Sequence, residues 1–449
     1  MMNGLLTDLY QLTMAAGYFQ AGKAGEVATF ELFVRRLPPN RNYLIAAGLA
    51  QAVDYLLGLD FSREEIAYLR GLPQFASAPA EFFEALARFR FTGDLWAVPE
   101  GTVVFAGEPI LRVRAPLMEA QIPETYLLAT VGFQSLVATK ASRLVQAAAG
   151  RSVVEFGTRR AHSPEAGVLA GRAAYIGGCI GTSNTLAGFR YGIPVFGTAA
   201  HSWVLAFESE LEAFRQLQRL LGPATVFLID TYDTIEGARK AASLGKPMWG
   251  VRLDSGNLVE LSLAVRRILD EAGLTDARIM VTGDLNEYKI LELVKERLPI
   301  DAFGVGTELA TSADAPALGV VYKLVELHAD GRTRYTAKFS EDKETMPGAK
   351  QIFRFSDRDV IGRADETPAR AADGTSAEAL LAPVILRGEP VAELPPAEAA
   401  RRRAQSSLQR LPTACLSLFP IDPPYRVEYS EEIRKLQESL RDARAGATR

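Results

Sequence analysis

Histidine is scarce: His162, His201 and His328 are the only three in 449 residues. Cysteine is scarcer, with only Cys179 and Cys415. Two cysteines exclude a disulfide framework and a cysteine-rich zinc site, and they fit a reducing cytoplasm. No second histidine stands at ligand spacing from His201, which argues against zinc there. A basic excess is also missing, since the net charge is −4. No global field draws nucleic acid or anionic lipid, so an anionic ligand must be held by local groups. No uncharged apolar run reaches membrane-spanning length. The opening MMNGLLTDLYQLTMAAGYF has no basic residue and is broken by Asp8, so it reads as a helix rather than a signal peptide. Internal repeats and low-complexity tracts are absent. The length exceeds one ordinary core and predicts two domains.

What is present is a rhythm. Between about residues 150 and 310, six apolar runs rich in β-branched residues recur: SVVEFG, IPVFGT, ATVFLID, MWGVRLD, RIMVTGD and DAFGVGT. Helical patterning separates several of them. Leu258, Leu261, Val265, Ile268 and Ala272 share one expected face, as do Ile290, Val294 and Leu298. Strands alternating with helices imply parallel βα units, and six of them favour an irregular βα barrel over a short open sheet. Outside this core, residues 96–114 read as a strand pair and 123–149 as a long helix. VVYKLVEL and TRYTAKFS read as a hairpin about Ala329–Arg332. Residues 360–400 read as a surface layer or linker, and the tail as a charged helix.

Nearly every run ends in polar, charged or glycine residues. The tails are Glu155–Arg160, Gly197–Thr198, Asp230–Asp233, Arg252–Gly256, Thr282–Asp284 and Gly304–Thr307. In parallel α/β folds sites form at the C-terminal strand ends, so these tails are expected to converge on one mouth. Arg159, Arg160 and Arg252 suit a carboxylate or phosphate, or they pair structurally with Asp230, Asp254 or Asp284. The aspartates suit Mg²⁺ on a phosphorylated substrate or a developing positive charge. Alternatively, Asp233 and Asp254 are helix caps. FGVGTELATS can turn backbone N–H groups toward a phosphate, although no Gly-Lys-Ser/Thr follows as in a Walker A loop. His201, in GTAAHSW, reads either as a hydrogen-bonded structural histidine or as a general base or nucleophile, with the hydroxyls of Thr198 and Ser202 nearby to orient it.

Taken in order, LLTDLYQLTMAAGYF, EFGTRRAHSP, GTSNTLAG, GTAAHSW, GVRLDSGN, GVGTELATS and VYKLVE resemble the nicotinate phosphoribosyltransferase family, from about residue 5 to 350. The resemblance implies an irregular α/β barrel plus an α+β domain made from both chain ends. The expected boundaries are 1–120, 121–330 and 331–449. It implies that nicotinate and phosphoribosyl pyrophosphate give nicotinate mononucleotide and pyrophosphate, with ATP hydrolysis and Mg²⁺, as nicotinic acid enters NAD synthesis. His201 takes the position phosphorylated by ATP. Asp254 faces the ribose, and Arg252 with Thr198 faces the nicotinate carboxylate and ring. Phe156, Thr158, Arg159, Gly197 and Asp284 are further implied substrate positions. Gly306 and Thr307 take the 5-phosphate, and Asp230 is the implied Mg²⁺ ligand. Arg159 and Lys140 are weaker candidates for phosphate contacts. Tyr10 is expected to reach the pocket of a neighbouring subunit in a homodimer. His162 is given no catalytic role. The cysteine-rich zinc module of some archaeal relatives is not expected, since only Cys415 lies in the C-terminal region.

Three rival readings stand beside this one. A sister enzyme acts on nicotinamide or quinolinate. A non-catalytic barrel binds phosphorylated ligands. An aldolase-like barrel needs a strand-end lysine or a metal set, and no lysine ends any of the six runs.

Overall fold

In a computed structural model, residues 4–340, 343–367 and 376–447 are described. The chain divides into two compact units. One comprises 136–316 and 396–405; the other comprises 1–135, 317–395 and 406–449. The first division falls inside the long helix Glu124–Ala147.

The middle unit carries an all-parallel sheet of six strands. Their order is Gly181–Thr182, Ser152–Glu155, Ala302–Val305, Arg278–Val281, Gly250–Leu253 and Val226–Leu228. Five of the six expected runs are strands. The sixth, IPVFGT, is not the buried strand that its composition predicts. Only Val195 bridges, parallel to Thr182, and Val195 and Phe196 are exposed. Pro194 has no N–H to donate, and this confines the segment to an edge. The strand that sits there instead, Gly181–Thr182, is two residues long and lies in a run of small residues without an apolar signal.

The sheet curls. Val195 and Arg252 lie five strand spacings apart, which in a flat sheet is roughly 24 Å. Yet Arg252 Nη1 donates to Thr198 Oγ1 at 2.7 Å. The two sheet edges do not pair with each other among the described residues, so the barrel is irregular and is bridged by side chains at its mouth.

Six of the helices between these strands start on a polar cap. Ser163, Asn184, Ser209, Asp233, Asn257 and Asn286 all accept from first-turn amides. The apolar faces then pack on the sheet. In Leu258–Glu271 the buried residues are Ser262, Val265 and Leu269, while Ala272 is exposed beyond the helix end. The inward face is therefore rotated slightly from the expected one. In Glu287–Lys295, Ile290 and Leu293 are buried together with the carboxylate residue Glu287.

The unit made from both chain ends holds a seven-stranded antiparallel sheet. Its order is Arg332–Tyr335, Val320–Ala329, Val27–Val34, Pro109–Pro116, Asp94–Ala97, Ala382–Leu386 and Glu389–Pro390. Val27–Val34 pairs directly with Val320–Ala329, which ties the two chain ends into one core. The expected hairpin forms, with Asp330 and Gly331 at φ 51° and 70°, the left-handed pair that a two-residue turn requires. Residues 360–400 are more than a linker. They include strands at the edges of two sheets and the start of the helix Ala397–Arg410, with 368–375 outside the described residues. Among the described residues no helix is long and apolar enough to cross a membrane.

Candidate active site

Alternation along Gly250–Leu253 buries Val251 and Leu253 fully and leaves Arg252 on the other face. Its guanidinium ties together two strand exits and the segment that follows Val195. Nε donates to Thr282 Oγ1 at 2.9 Å and Nη2 donates to Asp254 Oδ1 at 2.6 Å. Nη1 donates to Thr198 Oγ1 at 2.7 Å and to the Ala199 carbonyl at 3.4 Å. Thr282 also donates to Asp254 Oδ1. Partial burial opposes ionisation of Asp254. The hydrogen bonds from Thr282 and Arg252, with the charges of Arg252 and His201, outweigh it and hold the carboxyl below its usual range. Asp254 is not the helix cap that its place in the sequence allows, because Asn257 takes that task. Asp233 is a cap, accepting from the Glu236 amide at 2.9 Å.

The side chain of Asp230 is almost completely buried. Its Oδ2 accepts from the Asp254 amide at 2.9 Å and from Ser255 Oγ at 2.7 Å. Its Oδ1 has no hydrogen-bond partner. That oxygen lies 4.0 Å from His201 Nε2, and Asp254 Oδ2 lies 3.9 Å from the same nitrogen. His201 Nδ1 is 3.1 Å from Thr231 Oγ1. The orienting hydroxyl is therefore Thr231, across the mouth. It is not Thr198, whose hydroxyl serves Arg252, or Ser202, the next residue in the chain.

Around these groups runs a cavity of about 730 Å³ lined by Phe156, Thr158, Arg159, Arg160, Gly197, Thr198, Arg252, Asp254, Thr282, Asp284, Gly306 and Thr307, among others. The expected tails converge on this cavity apart from Asp230–Asp233, none of which lines it; His201 is also outside the lining and reaches it through Asp254, 3.9 Å away. Phe156 lies over Gly304, where an added Cβ would sit 2.6 Å from the ring. Only glycine lets the aromatic wall come this close. Asn184 Nδ2 donates to Thr158 Oγ1 at 3.2 Å. Beneath, the buried Glu155 accepts from Thr182 Oγ1 at 2.5 Å and from the Gly157 amide, and burial pushes its carboxyl pKa up.

Arg159 and Arg160 are exposed, and among the described residues neither has a carboxylate partner. Thr307 opens a single helical turn, Thr307–Ala310, and is exposed. As the first helical residues, Thr307 and Glu308 have amides without intrahelical acceptors. Asp284 is exposed, with φ 44°. Lys140 is not a free phosphate ligand. It is buried among three carboxylates, with Nζ 2.5 Å from Glu287, 3.3 Å from Glu308 and 2.9 Å from Asp314. Tyr10 belongs to the unit made from both chain ends and is half exposed. Partial burial and the carboxylates of Glu124 and Asp8 raise its phenol pKa. His162 is exposed.

Sequence reasoning missed the work of Thr282, Thr231 and Glu155. All three lie in the quoted strand tails, but hydroxyls and a lone glutamate look like turn chemistry until their partners are known. It also missed a cationic group in the other unit. There Lys323 has its ammonium pKa lowered by burial and by Arg35 and Lys338, against the pull of Glu124.

The fold and this mouth place the chain among α/β-barrel enzymes whose sites lie at the C-terminal strand ends. Models of the nicotinate phosphoribosyltransferase N-terminal domain and of the nicotinate phosphoribosyltransferase family match residues 5–132 and 151–341. Nicotinate phosphoribosyltransferase pncB2 of Mycobacterium tuberculosis is 44% identical over 439 residues, covering 96% of this chain and 92% of the relative. The Bacillus subtilis nicotinate phosphoribosyltransferase is 43% identical over 378 residues, covering 81% and 76%. The crystal structure of human nicotinic acid phosphoribosyltransferase superposes with a TM-score of 0.85 at 30% identity, covering 97% of this chain and all of that one. The chain belongs to the nicotinate phosphoribosyltransferase family.

Proposed function

We propose that this protein transfers the 5-phosphoribosyl group of phosphoribosyl pyrophosphate to nicotinate, in NAD salvage, and couples the transfer to ATP hydrolysis through His201. The observation that carries the reading is the clamped Arg252. Thr282, Asp254 and Thr198 fix its plane. One unspent Nη2 hydrogen and the long bond to Ala199 leave two donors for the nicotinate carboxylate. Phe156 supplies a flat wall for the ring. Thr158, Arg159, Gly197 and Asp284 complete the substrate wall.

The pyridine nitrogen attacks the anomeric carbon as the bond to pyrophosphate breaks. Asp254, kept ionised by Arg252 and Thr282, stabilises the cationic ribose on the way. Gly306 and Thr307 take the 5-phosphate on backbone amides and the Thr307 hydroxyl. Asp230 Oδ1, buried without a partner, and Asp254 Oδ2 are the carboxylate oxygens that fit Mg²⁺, a metal that commonly binds through one or two carboxylates plus substrate phosphate. When bound, the ion neutralises the leaving pyrophosphate.

In the ATP step, Thr231 accepts from Nδ1–H of His201 and leaves the Nε2 lone pair as nucleophile. Nε2 bonds to the γ-phosphorus, the bond to the β,γ-bridging oxygen breaks, and ADP leaves. Water later hydrolyses the phosphohistidine to phosphate. The added charge beside Asp230 and Asp254 shifts substrate affinity or product release by linkage.

The working form is a homodimer in which Tyr10 reaches the partner's pocket. In support, Leu6 and, on the helix Leu9–Gln20, Leu9, Tyr10 and Met14 are exposed apolar side chains near one another in sequence. On the barrel unit Phe189, Leu205 and Tyr232 are strongly exposed.

The test uses γ-labelled ATP with wild type and His201→Ala. Wild type takes an acid-labile label, and ATP stimulates mononucleotide formation. The variant loses both but keeps some ATP-independent transfer. Labelling that persists in the variant removes His201 from the role.

A further inference from the structure

The buried lysine beneath the Thr307 turn carries the inference. Lys140 lies in the helix Glu124–Ala147, and its side chain is 1% exposed. Its ammonium faces three carboxylates on three segments. Glu287 starts the helix Glu287–Lys295, Glu308 follows Thr307 directly, and Asp314 lies beyond the turn. Its Nζ donates to Glu308 Oε2 and Asp314 Oδ1, and it pairs as an ion with Glu287 Oε2, an oxygen that has no hydrogen-bond partner. Glu287 is fully buried and is also held by Arg143, whose Nε donates to Glu287 Oε1 at 2.9 Å. Arg143 Nη2 donates further to Tyr288 Oη at 3.2 Å. Glu287 with Arg143 forms the fixed base. Glu308 and Asp314, each partly exposed, are the arms that Lys140 pulls onto that base.

This arrangement has two consequences at the mouth. Glu308 lines the cavity one residue beyond Thr307, so the position of the Thr307 amide depends on where Glu308 is held. The cluster also carries two cations against three carboxylates. Without Lys140, one cation would face three carboxylates, and Glu308 would present unneutralised charge to an incoming phosphate dianion. The first effect is positional and the second electrostatic, and both weaken phosphate binding.

We infer that Lys140 is a positioning residue that sets the Thr307–Glu308 turn for the 5-phosphate of phosphoribosyl pyrophosphate without touching the substrate. This inference rests on the proposed function above. It predicts selectivity: the lysine controls the phosphoribosyl substrate and leaves nicotinate, held by Arg252 and Phe156, largely alone.

The test is steady-state kinetics of full-length Lys140→Met with each substrate varied in turn. The KM for phosphoribosyl pyrophosphate rises about tenfold or more, which is about 1.4 kcal/mol. The KM for nicotinate stays within about twofold, and His201 still takes label from ATP. Adding Glu308→Gln to Lys140→Met recovers part of the loss, because it removes the charge left unneutralised. A folded Lys140→Met with an unchanged KM for phosphoribosyl pyrophosphate overturns the inference. An equal loss for both substrates also overturns it, since that is the mark of general destabilisation. If Lys140→Met does not fold, Asp314→Asn carries the test. It removes the outer arm, keeps Lys140 paired with Glu287 and Glu308, and raises the same KM severalfold; no change in that variant overturns the inference. Wild-type enzyme that makes no mononucleotide from nicotinate removes the proposed function itself, which is a separate outcome.

Discussion

Asp254 and Asn257 stand three residues apart at one strand exit, and they divide two tasks that the sequence leaves undivided. Asn257 accepts from the Val259 and Glu260 amides at 3.2 and 3.4 Å and caps the helix. Asp254 turns instead to Arg252 and Thr282. Asn257→Ala should therefore cost about 1 kcal/mol of stability and leave turnover near wild type. Asp254→Asn should lower kcat by roughly 10²–10³-fold with a smaller effect on melting. Thermal melts and kinetics on both variants check the division, and the reverse assignment of losses contradicts it. The folded carboxyl of Asp254 has the lower pKa. Its charge thus contributes stability above the unfolded value and loses that contribution as pH falls through the folded one. The residue types at the mouth were legible in the strand tails. Their pairings were not, because Arg252 meets Thr198 and His201 meets Thr231 only once the sheet has curled.

At the scale of elements, periodicity found five barrel strands because each lies in an apolar run rich in β-branched residues that ends in a polar or glycine tail. It failed where a strand is two residues long, at Gly181–Thr182. It failed again where an apolar run lines an edge, at Val195 and Phe196. Composition reports burial in an average fold, whereas an edge beside a cavity leaves apolar side chains exposed. Lys140 shows the same limit in reverse. A lysine in an apolar helix reads as a ligand for phosphate, but the structure gives it three carboxylates, two of them more than 160 residues away in sequence. Alanine, proline and charge make residues 360–400 read as a surface layer or linker. Two of their strands, Glu378–Ala379 and Glu389–Pro390, are edges, which tolerate such composition.

For the whole molecule, both chain ends interleave in one antiparallel sheet, and that closure was legible only through the family resemblance. The exposed apolar residues Leu6, Leu9, Tyr10 and Met14 have a use only in the homodimer proposed above. Met14→Glu should sediment as a single chain and lose most activity, while wild type sediments as two. A wild-type protein that is active as a single chain contradicts the shared site.

The central claim is that the mouth around Arg252 recognises a pyridine carboxylate and places a phosphoribosyl group on its ring nitrogen. The measurement that tests it most directly is kcat/KM of the wild-type protein for nicotinate, nicotinamide and quinolinate, each with phosphoribosyl pyrophosphate and ATP. Nicotinate mononucleotide should form with a preference for nicotinate over nicotinamide on the order of 100-fold or more, since the amide leaves a buried donor fork without its anionic partner. Equal or greater efficiency with nicotinamide or quinolinate, or no product from nicotinate, would contradict the account.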